Sequence, residues 1–527
     1  MADEAWWRSG VIYQIYPRSF QDANGDGVGD IPGVRRRLDY LKWLGVDALW
    51  LSPVYPSPMA DFGYDIRDYR DVDPVFGSLA DLKGLVEEAH RLGLKVVLDY
   101  VPNHTSDRHP WFIESRASRS SPKRDWYIWR DAAADGGPPN NWISLFGGPA
   151  WKWDAATGQY FYHAFLPEQP DLNWRNPEVR REMLDVLRYW LDFGVDGFRV
   201  DALWALIEDD QLRDNPPNPD WRPGKPESAR QLHRYNGDLP EVHTAVAEMR
   251  ATIDAYPDRV LIVELYLPFD RLSLYYGEEA RGAHLPFNFH LISAEWRAEA
   301  LAKLIKDYEA SLPPGAWPNW VLGNHDKRRV ASRLGESKAR LAAMALLTLR
   351  GTPTLYYGDE LGIPDGHIPR EQAHDPVERR DPGHGRDPAR TPMAWDASAN
   401  AGFTTGAPWL PVHPDWASRN VAAMREDKLS ILNLYRRLIA LRRARKTLQF
   451  GAYGRIGCED GCLIFERGAE GDQPIIVALN LSDAPARVAV PSGSRVLLSS
   501  FPDRDGETVA VALKLRPLEG VVLSRAD

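Results

Sequence analysis

The chain has 527 residues, a net charge of -10 and a pI near 5.8. That length exceeds what one small core needs and suits a large barrel with appendages, while the acidic balance offers no electrostatic footprint for nucleic acid. Two cysteines, Cys458 and Cys462, are too few for a disulfide framework, which implies a reducing compartment and two packed thiols in a small β domain.

The opening Met-Ala-Asp-Glu-Ala-Trp-Trp lacks a basic region followed by an apolar run. No stretch approaches the roughly 20 apolar residues of a membrane span. A cytoplasmic protein without a membrane partner is the expectation. After the Trp pair, Val11-Ile12-Tyr13-Gln14-Ile15 reads as a strand, followed by Asp22-Ala23-Asn24-Gly25-Asp26-Gly27-Val28-Gly29-Asp30. Oxygen side chains at alternate positions, with glycines for tight turns, suit a Ca²⁺-type loop. They suit an Asx-rich turn equally well.

A helical pattern at 33–44 leads to a strand at Ala48-Leu49-Trp50-Leu51, a helix at 79–92 and the strand Lys95-Val96-Val97-Leu98-Asp99. This strand–helix–strand rhythm predicts a parallel sheet buried on both faces. It fails over 103–174, where Pro, Gly and Trp take over, and an inserted subdomain is expected there. The rhythm resumes with a helix at 177–192, a strand at 197–201, a helix at 240–255 and the strand Val260-Leu261-Ile262-Val263-Glu264. Further strands are expected near 286–290, 320–323 and 354–357, with helices at 295–307 and 336–349. Eight strands with intervening helices make a TIM barrel. Residues 359–425, rich in Asp, Pro, Gly and Arg, read as a long functional loop over the barrel. A helix at 428–445 ends the barrel, and short alternating runs over 447–527 indicate a β-sandwich domain. The fold class is therefore α/β: a (β/α)8 barrel over 1–102 and 175–446, an inserted domain over 103–174, and a C-terminal antiparallel β-sandwich.

In such barrels the C-terminal strand ends converge on one pocket. The third strand ends in Asp99, ahead of Asn103-His104. The fourth is Gly197-Phe198-Arg199-Val200-Asp201, the fifth ends in Glu264, and the seventh runs into Asn324-His325-Asp326. Strand alternation points Arg199 and Asp201 the same way. A carboxylate beside a guanidinium is expected to stay ionised, as a nucleophile requires. Three convergent acids without a Cys/His metal cluster suit glycoside chemistry, in which one carboxylate attacks the anomeric carbon and another protonates the leaving oxygen.

With Asp99-Tyr100-Val101-Pro102-Asn103-His104, the 197–201 run, Glu264 and Asn324-His325-Asp326 on view, the chain resembles an α-glucosidase of the α-amylase superfamily (glycoside hydrolase family 13), in its oligo-1,6-glucosidase/α-glucosidase branch. Further motifs carry the resemblance: Gln169-Pro170-Asp171-Leu172-Asn173, Asp61-Phe62-Gly63-Tyr64-Asp65, and the run from Gly385 through Arg386 and Arg390 to Trp395. It implies Asp201 as nucleophile, Glu264 as general acid/base, and Asp326 on the 2- and 3-hydroxyls of the sugar. His104, His325 and Arg199 would line the first sugar site, with Tyr64 stacked under the ring and Phe146, Phe165 and Gln169 along the wall. Asp61 and an arginine, Arg386 in preference to Arg390, would clamp the far 4-hydroxyl so that only a chain end fits. The resemblance also turns the Asp-rich loop into a structural Ca²⁺ or Mg²⁺ site held by Asp22, Asn24, Asp26, the Val28 carbonyl and Asp30, with no organic cofactor.

In the resembled family the residue after the nucleophile is usually Val where α-1,6 links are preferred, and small or Thr where α-1,4 links are. Here it is Ala202, which implies maltose-like substrates. The chain departs from the family in having Val263 where Gly normally precedes the acid/base; the expectation is a narrowed space beside Glu264. Small α-glucosides are the implied partners, for a monomer or homodimer. A dedicated glucosyltransferase or sucrose isomerase would use the same intermediate, although the Arg-Leu-Asp-Arg-Asp run associated with sucrose isomerases is absent. A catalytically inactive sugar-binding scaffold is a further alternative, opposed by the retention of all three acids.

Overall fold

A computed structural model describes residues 5–525; Met1–Glu4 of the N-terminal stretch read above lie outside the described residues. Eight parallel strands form the barrel: β1 (Ile12–Ile15), β2 (Ala48–Leu51), β3 (Lys95–Tyr100), β4 (Gly197–Val200), β5 (Val260–Val263), β6 (Leu285–Pro286), β7 (Asn319–Val321) and β8 (Thr352–Tyr356). They are hydrogen-bonded in the order β7-β8-β1-β2-β3-β4-β5-β6.

Every strand is buried on both faces, and the two faces feed different cores. Ile12, Ala48, Trp50, Val97, Val260, Ile262, Leu285 and Val321 pack inside the barrel. Tyr13, Leu49, Val96, Leu98, Phe198, Val200, Leu261 and Val263 face the helical layer. This alternation fixes which strand-end residues look into the pocket. Asp99 pairs in register with Arg199, and Arg199 with Ile262, so Asp99, Arg199, Asp201 and Glu264 share the inward phase.

The helices begin and end where local chemistry dictates. Ser78 and Asp81 form a reciprocal capping box on Leu79–Arg91. Asn176 caps Pro177–Phe193, Pro177 opens it, and Gly194 at φ 115° closes it. Val179, Met183, Val186, Leu187, Trp190 and Leu191 form its buried stripe. The single helix expected over 33–44 is two, Ile31–Arg36 and Leu38–Leu44, because Arg37 leaves helical geometry and its Nε donates to Gln21.

The segment after β3 carries a three-stranded antiparallel sheet of Trp129–Arg130, Gln159–Tyr162 and Trp151–Asp154. Isolated bridges between His104 and Asp171 and between Tyr127 and Leu172 tie its base together. Beyond the helix Ile431–Ala444, a six-stranded and a two-stranded antiparallel sheet enclose a separate apolar core. Cys462 is buried there, but Cys458 is exposed, which corrects the expectation of two packed thiols: the residues sit on neighbouring strands and face differently, Cys458 opposite Leu463 and Glu459 opposite Cys462. Among the described residues no helix is long and apolar enough to cross a membrane.

Candidate active site

A pocket of about 410 Å³ opens at the C-terminal ends of the strands, a size suited to a small ligand. Asp201, Glu264 and Asp326 line it together with Asp61, Tyr64, His104, Phe146, Phe165, Ala202, His325 and Arg386. Two buried arginines organise the acids.

Arg199 is the first. Its Nη1 lies 2.8 Å from Asp99 Oδ1 and 2.7 Å from Asp201 Oδ1, and its Nη2 lies 2.7 Å from Glu264 Oε2. It is fully buried, beneath the lining expected for it. One guanidinium thus serves three carboxylates, so Asp201 does not have Arg199 to itself. Burial pushes the Asp201 carboxyl well above the usual range, Arg199 opposes that, and the charges of Glu264, Asp99 and Asp326 add to the rise. The sequence reading counted the arginine and missed its other two claimants. Asp99 is pushed by burial to about 6 despite Arg199, and also accepts from Trp50 Nε1 and the Tyr64 hydroxyl, each at 3.1 Å.

Arg386 is the second. It contacts Asp61 at 2.6 Å, Asp375 at 2.7 Å and Asp326 at 3.1 Å. Asp375 also caps the short helix Pro376–Arg380, so one carboxylate anchors both the loop and the arginine. Arg390 donates to Asp326 at 3.0 Å and to the His325 carbonyl at 2.9 Å; it is buried behind Asp326. Burial raises Asp326, but the guanidinium groups of Arg386, Arg390 and Arg199 outweigh it and hold the carboxyl far below its ordinary range. Every arginine here favours the ionised carboxylate; burial and the neighbouring acids win at Asp201 and the guanidinium groups win at Asp326, so the two facing acids move in opposite directions.

The walls follow from local chemistry. The 59–63 turn needs positive φ at Met59, Phe62 and Gly63, and Asp65 steadies it by accepting the amides of Ala60 and Asp61, both at 2.9 Å. Tyr64 stacks on His325 at 5.3 Å and 4°. Gln14 Nε2 donates to His325 Nδ1 at 2.8 Å, leaving the ring proton on Nε2, 3.3 Å from Asp326. Burial pushes His325 well below its ordinary value and His104 to about 3, so both rings are neutral. Phe146 and Phe165 meet edge to face at 5.3 Å, with Arg386 over Phe146 at 4.8 Å.

Gln169, expected along the wall, lies behind it instead. Fully buried, its amide is 3.2 Å from Asp61 and 3.0 Å from His104, and so it fixes two lining residues rather than lining the pocket itself. Ala202 adopts left-handed geometry at φ 45°, and its N–H donates to Glu264 Oε2 at 3.3 Å. Val263 is fully buried in the core facing the helices. The expectation that it narrows the space beside Glu264 is corrected: strand alternation turns it outward while Glu264 turns in. Sequence reasoning missed Gln14, Tyr266, Lys327 and Asp375. Tyr266 carried a signal, since it lies two residues beyond Glu264 and therefore in the same phase.

The Asp-rich loop lies away from the pocket. Asp22 accepts the amides of Asn24, Gly25 and Gly27 at 2.9, 2.7 and 2.8 Å and the Thr404 hydroxyl. Val28 N–H donates to Asp26 at 2.8 Å, and Asp30 caps the helix beginning at Ile31. Among the described residues no three His, Cys, Asp or Glu side chains form a preassembled metal group. The donor set is nonetheless all oxygen, as a hard cation requires. Asp30 is raised by burial and further by the charges of Asp22 and Asp26, a repulsion that a cation would relieve.

Acids gathered at the mouth of a (β/α)8 barrel suit an enzyme acting on glycosides. Residues 14–451 match the family described as alpha amylase, catalytic domain. The chain is 41% identical to a probable alpha-glucosidase of Rhizobium meliloti, over 93% of this chain and 92% of that one. It is 39% identical to an oligo-1,6-glucosidase of Parageobacillus thermoglucosidasius, over 99% of both. A crystal structure of an alpha-glucosyl transfer enzyme superposes with a TM-score of 0.93 at 42% identity, covering 99% of this chain and 100% of that one. The trehalulose synthase of Pseudomonas mesoacidophila gives 0.89 at 35%, covering 99% of both. The chain belongs to the α-amylase family (glycoside hydrolase family 13) and is a glycoside hydrolase of its α-glucosidase type.

Proposed function

We propose that this enzyme is a retaining, exo-acting α-glucosidase. It removes the non-reducing terminal glucosyl unit from short α-glucosides, prefers α-1,4 links, and transfers glucose to sugar acceptors as a side activity. The observation that carries this reading is the Arg199 bridge, which holds Asp201 at 2.7 Å and Glu264 at 2.7 Å from one guanidinium. Such proximity suits the roughly 5–5.5 Å spacing of retaining pairs better than the roughly 6.5–9.5 Å of inverting ones.

In this mechanism Asp201 attacks the anomeric carbon while Glu264 protonates the departing oxygen, giving a β-glucosyl ester on Asp201. Glu264 then takes a proton from water or an acceptor hydroxyl, whose oxygen attacks the anomeric carbon and frees Asp201. Positive charge developing on the sugar favours the ionised form of Asp201, against the burial that raises it. Asp326, firmly ionised, accepts from the 2- and 3-hydroxyls.

Exo action is supported by the Asp61–Arg386 pair, whose 2.6 Å contact closes the far end of the pocket. The α-1,4 preference is supported by the single methyl of Ala202 in the lining. Transfer is supported by the likeness to the glucosyl transfer enzyme. We further propose that Asp22, Asn24, Asp26, Val28 and Asp30 hold a Ca²⁺ or Mg²⁺ ion that stiffens the loop at the barrel edge.

Time-resolved proton NMR with equal maltose and isomaltose tests the reading. The expected result is early α-glucose, from maltose first. Early β-glucose would exclude double displacement, isomaltose consumed first would reverse the linkage assignment, and new glycosidic signals dominating free glucose would make the enzyme a transferase. Asp201→Asn abolishes turnover while sugar binding persists.

A further inference from the structure

Glu264 is held asymmetrically. Its Oε2 faces Arg199 Nη2 at 2.7 Å and accepts the Ala202 N–H at 3.3 Å. Its Oε1 meets the hydroxyl of Tyr266 at 3.2 Å. With Oε2 paired to the Arg199 guanidinium and accepting the Ala202 N–H, the negative end of the carboxyl group is held there and its proton sits on Oε1. The acidic proton therefore belongs beside Tyr266.

Three contacts from two other strand ends fix that tyrosine. It follows Glu264 by two residues, its ring lies parallel to Phe289 at 4.4 Å and 7°, Lys327 Nζ stands 4.4 Å from the ring centroid, and Asn324 Nδ2 donates to its hydroxyl at 3.4 Å. Tyr266 as a residue is nevertheless 40% exposed and stands between the catalytic pocket and a neighbouring cavity, lining both. Core packing alone does not call for a phenol hydroxyl there. Burial of the hydroxyl and the charge of Glu264 push the phenol well up, so it keeps its own proton.

We propose that Tyr266 is a positioning residue for the proton of Glu264, accepting from protonated Oε1 and donating to it once it is ionised. The inference rests on Glu264 being the general acid/base. During glucosyl transfer to Asp201, the Oε1 proton passes to the glycosidic oxygen as its bond to the anomeric carbon breaks and the bond from Asp201 forms. The Tyr266 hydroxyl then turns its hydrogen to the new carboxylate. In the second step Oε1 takes a proton from water or an acceptor hydroxyl as that oxygen attacks the anomeric carbon and the ester to Asp201 breaks, and Tyr266 returns to accepting. The cation over its ring strengthens the phenol as a donor.

The test is Tyr266→Phe, which keeps the ring on Phe289 and beneath Lys327 and removes only the hydroxyl. Maltose needs its leaving oxygen protonated, whereas α-glucosyl fluoride releases fluoride without that help. The expected kcat/KM for maltose falls about ten- to hundredfold, while that for α-glucosyl fluoride stays within about threefold and reports intact, folded sites. An equal fall with both substrates, or no fall with either, overturns the inference. Glu264→Gln is measured alongside. If it still turned over maltose at the parent rate, the assignment of Glu264 would fail; if it lost maltose turnover while Tyr266→Phe showed no leaving-group discrimination, only the role of Tyr266 would fail.

Discussion

Val263→Gly separates two accounts of the residue before the general acid. Val263 is fully buried, lies in register with Val200 and Pro286, and shares the helix-facing core with Leu261 and Phe198. Burying a valine side chain contributes about 1.5–3 kcal/mol, and glycine in a strand costs roughly a further 0.5–1 kcal/mol. The expected loss is therefore about 2–4 kcal/mol. A chain of several domains unfolds irreversibly on heating, so the assay is the half-life of activity at a fixed elevated temperature. With most of the loss falling on the unfolding rate and tenfold per roughly 1.4 kcal/mol, the half-life shortens about thirtyfold to several hundredfold. At 25 °C, kcat/KM for maltose and the maltose-to-isomaltose ratio stay within about twofold of the parent. An unchanged half-life with an altered substrate ratio would refute the outward orientation of Val263.

Arg386→Lys keeps the charge but not the fork that spans Asp61, Asp326 and Asp375; KM for maltose rises at least about tenfold and the thermal midpoint falls, and a parent-like KM would remove the clamp from the mechanism. His104 is pushed by burial to about 3, below its unfolded value, so the unfolded chain binds the extra proton and stability falls as pH drops below about 6.5. His104→Gln should flatten the decline in thermal midpoint between pH 7 and 4, and an unchanged slope would show that other groups carry it. Chelation followed by added Ca²⁺ should lower and restore the thermal midpoint of the parent but not of Asp22→Asn; equal responses would remove the ion from the 22–30 loop.

The barrel was legible because its strands are apolar on both faces and alternate with helical patterns in a regular rhythm along the chain. The same legibility extends to Asp201, Glu264 and Asp326, which reach the pocket through strand-end position alone. What could not be read was competition. Arg199 beside Asp201 looked like one ion pair, but Asp99 arrives from β3 and Glu264 from β5 to share it, and pairing across a sheet is not written in either segment. Gln169 failed similarly, because its amide is spent on Asp61 and His104, far from it in sequence. Val263 was misjudged by adjacency: next to Glu264 along the chain means opposite to it across the strand.

The arrangement of the two arginines has a consequence for when the pocket becomes competent. Arg199 lies on β4, and its partners Asp99, Asp201 and Glu264 lie on or directly after barrel strands, so that half forms with the sheet. Arg386 comes from the long segment beyond β8, and its partners Asp61 and Asp375 sit on loops. Asp326 alone is tied to that second half while standing at the end of a strand. Its depressed carboxyl therefore depends on loop-borne guanidinium groups, whereas the elevation of Asp201 is built into the barrel by burial. Loosening the 375–390 segment would bring the two acids closer in proton affinity, while leaving the Arg199 bridge in place. Bond-breaking chemistry thus belongs to the rigid scaffold, and recognition of the sugar's hydroxyls to the loops laid over it.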